Sequence, residues 1–383
     1  GLSEVLNRAG LTSNVDAYAK LIRQHRGRRE LIKAADRLTS MALDTDGDAL
    51  ELTINAERAV RDATDLFMPD TSDLEESGID EHYRRCMAGH DASGGISSGI
   101  DALDYRMTLQ PGWLGVILAK PAMGKTALAM AYALQALKAG RPVLFLSLEM
   151  PKADLSGRLL TQMCGVPFDL QRYGLDRLSG RDLERFMVSL DEFKRNYEGL
   201  LKIVYDPQMT PEALRLNCQR VKQEHGDLGL IVLDYLQRCT GFSRRKNASE
   251  ESEIAAASGA MKSAAMEFDA AALALSQPTI AASRGGSAPL KLSDAKGSQA
   301  IVADADVALL PNRPNMVPDI KGNSDAAKAQ RKTERQRATI SVPKFRHGPP
   351  FDVREGDVRW NGARMTYETP PGWSEPRDRR EWQ

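Results

Sequence analysis

The sequence predicts an α/β fold: a largely parallel sheet flanked by helices, preceded by an N-terminal αα-hairpin and a linker helix. Three observations predict it. From Gly94 on, short apolar runs alternate with stretches of helical period, the pattern of strand–helix–strand units. The run Ala119-Lys120-Pro121-Ala122-Met123-Gly124-Lys125-Thr126 joins an apolar segment, Trp113 to Leu118, to an Ala- and Leu-rich one, Ala127 to Lys138, in the order strand, loop, helix. Before Gly94, apolar residues recur at near-helical spacing between charges.

In chain order, the first helix is expected from Asn14 to Met41, with Tyr18, Ile22, Leu31, Ala35 and Leu38 on one stripe and Ser13 or Asn14 as cap. Asp44-Thr45-Asp46-Gly47 reads as a turn, and Leu52, Ala56, Ala59, Ala63 and Leu66 form a second stripe. Such a hairpin is too small for its own core; it packs on another chain, on a missing N-terminal piece, or on the main domain as a local cap. Residues 69–93 read as a linker, acidic and polar from Pro69 to Gly78, with a short docking helix from Ile79 to Met87. Strands are expected at Leu114–Leu118, Val143–Leu148, Leu201–Tyr205, Leu228–Leu233, Ala272–Leu275, Val307–Leu310 and Ala338–Val342. Val358–Trp360 and Met365–Tyr367 flank Asn361-Gly362, a hairpin turn signal. Ser283–Leu290 and the Lys- and Arg-rich stretch from Pro311 to Arg337 read as exposed loops, the second helical or mobile in part. The domains are therefore 1–68, 69–93, 94–368 and a Pro- and charge-rich tail, 369–383.

Composition narrows the function. With 52 basic and 52 acidic residues, any nucleic-acid contact must come from local patches, because there is no global positive field. The four cysteines form no C-x-x-C pair, which argues for a reducing compartment without a disulfide framework or zinc site. No apolar run is long enough to span a bilayer, so no membrane partner is expected.

The loop 119–126 has the layout of a phosphate-binding loop, with backbone N–H groups and a helix N-terminus to cradle a nucleoside triphosphate. Ala122, Met123, Gly124, Lys125, Thr126 and Ala127 would contact ATP, Lys125 reaching the β- and γ-phosphates and Thr126 holding Mg²⁺. The usual first Gly of such a loop is Ala119 here. Glu149 ends a strand beside the loop, where a carboxylate can polarise an attacking water; the competing role is a helix cap ahead of Pro151. Asp234 ends the apolar run 228–233 as a metal-holding Walker B acid, although an Asp after a buried strand is also common. Gln277 suits a γ-phosphate sensor or an ordinary polar strand end. Lys344 and Arg346 project to one side of an extended segment, either as a phosphate clamp or as a solvated basic turn; His347 reads as structural.

Taken together, these motifs resemble the DnaB family of hexameric replicative DNA helicases, of the RecA-like ATPase class. The resemblance runs from about Asn14 to Tyr367. It rests on the phosphate loop, Phe145-Leu146-Ser147-Leu148-Glu149-Met150-Pro151, Ile231-Val232-Leu233-Asp234-Tyr235-Leu236-Gln237, Ala274-Leu275-Ser276-Gln277, Asp304-Ala305-Asp306 and Lys344-x-Arg346-x-Gly348-Pro349. It implies an ATP-dependent helicase moving 5′→3′ on single-stranded DNA as a homo-hexamer, in the cytoplasm of a bacterium or a phage host. Primase and a helicase loader are implied partners. Glu149 would be the catalytic carboxylate and Arg158 an arginine near the nucleotide, with Gln277 the sensor. Lys344 and Arg346 would reach into the neighbour's site. Lys296, Gly297, Ser298 and Gln299 map to the loop that grips DNA, and Arg244, Arg245 and Lys246 suit further phosphate contacts. At 6% aromatic content, base stacking would contribute little. The sequence departs from the family at Pro278-Thr279, Gly259, Val302 and Ala303, and in an additional basic stretch, Lys328–Arg337; these suit a divergent, phage-type member. The alternative is a non-helicase RecA-like ATPase, a recombinase or a regulatory ring.

Overall fold

A computed structural model describes residues 15–43, 55–56, 59–60, 94–239, 241–243, 248–284, 288–316, 318, 320–321 and 324–374. It divides into two units, Gly1–Met87 and Ala88–Gln383. In the first, helix α1 runs unbroken over Val15–Leu43, as the stripe predicts. Residues 55–56 and 59–60 are helical; the rest of the expected second helix, the turn at Asp44–Gly47, the linker and the Ile79–Met87 helix lie outside the described residues.

The second unit opens with α2 (Asp101–Asp104), β1 (Leu114–Leu118), α3 (Lys125–Lys138), β2 (Val143–Ser147), α4 (Lys152–Cys164), α5 (Phe168–Tyr173), α6 (Gly180–Asn196) and β3 (Leu201–Tyr205). It continues with α7 (Pro211–His225), β4 (Leu230–Asp234), α8 (Glu250–Phe268), β5 (Ala271–Ser276), α9 (Ile280–Ser283), α10 (Ser298–Asp304) and β6 (Val307–Asn312). Helix α11 (Asp325–Gln336) and strands β7 (Thr339–Phe345), β8 (Phe351–Val353), β9 (Arg359–Asn361) and β10 (Thr366–Glu368) complete it.

The main sheet has the order β3-β2-β4-β5-β1-β6-β7-β8. Strands β3 through β6 pair in parallel, whereas β7 and β8 add antiparallel. Every residue of β1, β2, β4 and β5 is buried, as expected of parallel strands covered on both faces. Alternate residues serve two cores. Ile117, Phe145, Val232 and Leu273 pack with Leu128 and Tyr132 of α3. Val116, Leu144, Ile231 and Ala272 pack with Leu214 of α7 and Ile254 and Met261 of α8. The fold is RecA-like, and its sheet sets all parallel strand ends in one row, where α/β proteins place ligands.

The structure differs from the sequence reading at the later strands. β7 does not stop at Val342 but crosses Pro343; its pairing with β6 shifts register between Ala308 and Leu310, which accommodates a residue without an N–H. The three-residue strand β8 was not anticipated, being short and flanked by prolines and charges. The β9–β10 hairpin forms, yet Asn361 pairs with Thr366, so its turn is longer than two residues. Asn361 acts through its side chain, Oδ1 accepting from the N–H groups of Ala363 (3.1 Å) and Arg364 (3.2 Å). The start of the expected tail is tied down: the Asp101 N–H donates to Thr369 Oγ1 at 2.8 Å.

Candidate nucleotide site and strand-end loops

The phosphate loop leaves β1 and enters α3 through two left-handed residues, Ala122 (φ 64°) and Gly124 (φ 85°). At Gly124 a Cβ would stand 2.7 Å from Trp360 Cζ3 and 3.1 Å from Tyr367 Cε2, so glycine answers both conformation and space. The hairpin thus forms a wall behind the loop. The Tyr367 hydroxyl donates to the Met123 carbonyl, and Arg313, stacked 4.1 Å over the Trp360 ring, donates through Nη1 to the Ala122 carbonyl at 3.2 Å. Lys120 is buried and donates from Nζ to Ala288 O at 2.8 Å. Sequence reading missed Arg313, Trp360 and Tyr367. No local signal marks a buttress supplied by residues so far along the chain.

No side chain caps α3, so its first N–H groups point into the loop. Lys125 and Thr126 open the helix, and Ala127 gives its carbonyl to Gln162 Nε2 at 2.8 Å. The Thr126 hydroxyl donates to Asp234 Oδ2 at 2.9 Å. Asp234 is 2% exposed and its Oδ1 has no hydrogen-bond partner. Burial raises its pKa, opposed by the Lys125 charge, the Thr126 hydrogen bond and the Arg158 charge. Burial likewise lowers the pKa of Lys125, opposed by Asp234 and Glu149. The Lys125 ammonium lies 4.6 Å over the Tyr235 ring.

Glu149 is exposed at the end of β2. Its turn is held by Ser147 Oγ, which donates to Met150 O (2.8 Å) and accepts from Met150 N (3.0 Å). The Leu148 N–H donates to Asp234 O at 2.9 Å, tying the turn to β4. Helix α4 takes Pro151 as N-cap with no side-chain hydrogen bond, so Glu149 is not its capping acid. Arg158, on α4, keeps a buried Nε without a partner, and its charge acts on Asp234. The structure therefore gathers Lys125, Thr126, Glu149, Arg158 and Asp234 at one end of the sheet.

Gln277 sits one residue past β5, beside Tyr235. Gln237, to which the sequence reading gave no role, joins three segments. Its Oε1 accepts from Gln277 N (3.0 Å), and its Nε2 donates to Ser276 Oγ (2.9 Å) and Lys296 O (3.4 Å). The loop at Lys296 is thereby stitched to the strand end beside the nucleotide site. Gly297 (φ 74°) starts α10, and a Cβ there would approach Ile254 Cγ2 to 2.9 Å. Lys296 forms an ion pair with Glu250 at 2.5 Å rather than standing free for phosphate. Gln299 is exposed; the side chain of Ser298 and all of Arg244, Arg245 and Lys246 lie outside the described residues. The base of that basic segment is anchored by Glu253, whose Oε2 accepts from Phe242 N (2.7 Å) and Ser243 N (2.9 Å).

Lys344 and Arg346 stand elsewhere. Lys344 lies in β7 and Arg346 just past it, in an exposed turn, and both are tied down: Lys344 Nζ donates to Val302 O, and Arg346 donates to Asp306 Oδ1 (2.8 Å) and Ala303 O (2.9 Å). Asp306, 1% exposed, also accepts from Leu114 N and Lys262 Nζ, both at 2.7 Å. Burial and the Arg346 charge lower the Lys344 pKa. His347 stacks on Trp113 at 4.1 Å, a structural role. Because β7 runs antiparallel to β6, with Phe345 opposite Val307, the pair lies at the amino ends of the parallel strands, opposite the phosphate loop.

Residues 95–368 match the family described as DnaB-like helicase C terminal domain. The replicative DNA helicase DnaB of Leifsonia xyli subsp. xyli is 29% identical over 353 residues, covering 89% of this chain and 72% of that protein. That of Pasteurella multocida is 30% identical over 366 residues, covering 92% and 74%. Among solved structures, a DnaB-like replicative helicase described with its interactions with primase is similar in fold, with a TM-score of 0.73 at 19% identity over 96% of this chain and 82% of that one.

Proposed function

This chain belongs to the DnaB-like helicase family and is an ATP-dependent replicative DNA helicase, and from that premise we propose that it works as a ring of six copies, hydrolysing ATP between neighbours while moving 5′→3′ along one strand. The observation that carries the ring is the position of Arg346. Arg346 N donates to Asp306 O, and Asp306 in turn holds Leu114, the first residue of β1, while the phosphate loop follows the last. A five-residue strand separates them by ~16 Å at ~3.3 Å per residue. A guanidinium so placed serves a γ-phosphate only on another subunit, in a head-to-tail contact that closes into a ring.

Within one site, Lys125 and the α3 N–H groups bind the phosphates, Arg158 adds charge, and Glu149 orients the attacking water and takes its proton. Mg²⁺ fits the residues present, because Asp234 keeps a buried oxygen without a partner beside the Thr126 hydroxyl. Thr126 and Asp234 would hold the ion, which when bound offsets phosphate charge. Lys344 and Arg346 from the neighbour would stabilise charge on the transferred phosphoryl, a contribution worth ~10³–10⁵ in rate.

Gln277, through Gln237, couples the strand end at the phosphate site to the loop at Lys296–Gln299, which would track DNA phosphates together with Arg244–Lys246. Helix α10 carries that loop's motion to Val302 and Ala303, the carbonyls that hold Lys344 and Arg346. Primase and a loader are the proposed partners, and the cytoplasm the place of action; the solved DnaB-like helicase described with primase supports the first. The test is unwinding of forked DNA bearing only a 5′ or only a 3′ tail. The 5′-tailed fork should open and Lys125→Ala should abolish both turnover and opening; unwinding from the 3′ tail, or by the variant, would overturn the reading.

A further inference from the structure

Helix α11 buries no residue, so it adds nothing to either core. Its cations are nevertheless ordered: Lys328, Arg331, Lys332 and Arg335 stand at i, i+3, i+4 and i+7, one face of the helix. That face and the β9–β10 hairpin enclose a cleft of 710 Å³, with Arg313 and Trp360 on the opposite side. Few carboxylates offset the charge. Asp325 pairs with Lys328 at 3.1 Å and Glu368 with Arg359 at 2.6 Å. Among the described residues none pairs with Lys332 or Arg335, and both are exposed.

We propose that this cleft binds the sugar-phosphate backbone of fork DNA lying outside the channel, a second DNA site on the helicase. The inference rests on the helicase reading and goes beyond it. The cations are spread along a line rather than converging on one point, which suits a polymer better than a mononucleotide. Lys328 to Arg335 span ~10 Å at 1.5 Å per residue, the axial length of about three phosphates of one duplex strand at ~3.4 Å each. The cleft also stands on the wrong side to serve the channel strand. Trp360 and Tyr367 belong to the core on the α3 face of the sheet. Ala295, beside Lys296, belongs to the core on the α8 and α10 face. The sheet separates the two, so DNA held by the Lys296 loop is not the DNA held here.

The test uses the full chain carrying Lys328→Gln, Lys332→Gln and Arg335→Gln together; all three side chains are exposed, so the fold is kept. Affinity is titrated against salt for a single-stranded oligonucleotide and for a forked duplex with the same tail, each with a non-hydrolysable ATP analogue. The wild type should show a steeper salt dependence on the fork than on the single strand. The variant should lose ~2–3 units of that slope, at ~0.9 per phosphate contact, and tenfold or more in fork affinity, with single-strand affinity and the KM for ATP unchanged. Equal fork binding by both proteins would overturn the proposal, as would an equal loss on the single strand, or a raised KM for ATP with fork binding intact. Failure of the wild type to bind the single strand would instead overturn the helicase reading.

Discussion

An Asp234→Asn substitution removes a charge and keeps the side chain's shape, and so separates a metal-holding acid from a structural one. Asp234 is 2% exposed; Oδ2 accepts from Thr126 at 2.9 Å and Oδ1 has no partner. An unsatisfied buried acceptor costs about 1–3 kcal/mol, and burial also disfavours the charged form, as the raised pKa shows. The Asn carbonyl keeps the Thr126 hydrogen bond, while Lys125 loses a favourable charge. These effects oppose each other, so stability without nucleotide should change by no more than about 1 kcal/mol. Ligand-induced stabilisation should behave differently. At a hundred times its Kd, Mg-ATP adds ~2.7 kcal/mol to the wild type, about 5 °C or more in melting temperature at ~2–4 °C per kcal/mol. The variant should lose most of that shift. Thermal unfolding with a non-hydrolysable Mg-ATP analogue, repeated with EDTA, measures both quantities. A variant several kcal/mol less stable without nucleotide, yet keeping the wild-type shift, would make Asp234 a structural residue rather than a metal ligand.

Two further predictions concern the loops. Gly124→Ala places a Cβ 2.7 Å from Trp360 at φ 85°; left-handed strain of ~1–2 kcal/mol and overpacking of ~1–3 kcal/mol should lower the melting temperature and abolish ATP turnover. Unchanged melting and turnover would show that the hairpin does not wall the loop. Glu250→Gln releases Lys296 from its 2.5 Å ion pair; single-strand affinity should rise and its salt slope steepen by up to ~0.7 for the one added contact, and unchanged binding would place Lys296 off the DNA path.

Much of the sheet was legible because its strands are buried on both faces and bounded by turn residues. β1 and β3 fall on the expected residues, β2 differs by one at its end, and β4 and β5 differ by one or two at both ends. The phosphate loop was legible because its parts are consecutive. What escaped depends on distant partners or on short elements. Trp360, Tyr367 and Arg313 reach the loop only through the folded chain, and no periodicity could reveal that. Lys344 and Arg346 were legible as a candidate phosphate clamp, but the contacts that tie them down were not, because Asp306 and the α10 carbonyls come from other elements. Helix α11 was legible only as a stretch helical in part, because it has no apolar stripe; its local start signal is the Ser324 cap, which accepts from Ala327 N at 3.2 Å. β7 was cut short because Pro343 looked like a strand end.

The claim that the ATP site is completed by another subunit is tested most directly by mixing two inactive proteins, Glu149→Gln and Arg346→Ala. Each alone should lose nearly all turnover, the second by ~10³-fold or more. In a head-to-tail ring assembled from equal amounts, about one interface in four pairs an intact Glu149 with an intact Arg346, so mixed rings should recover up to about a quarter of wild-type ATP turnover. Activity no greater than the sum of the two separate proteins, with mixed assembly demonstrated, would contradict the account and put Arg346 to work within its own chain or outside the reaction altogether.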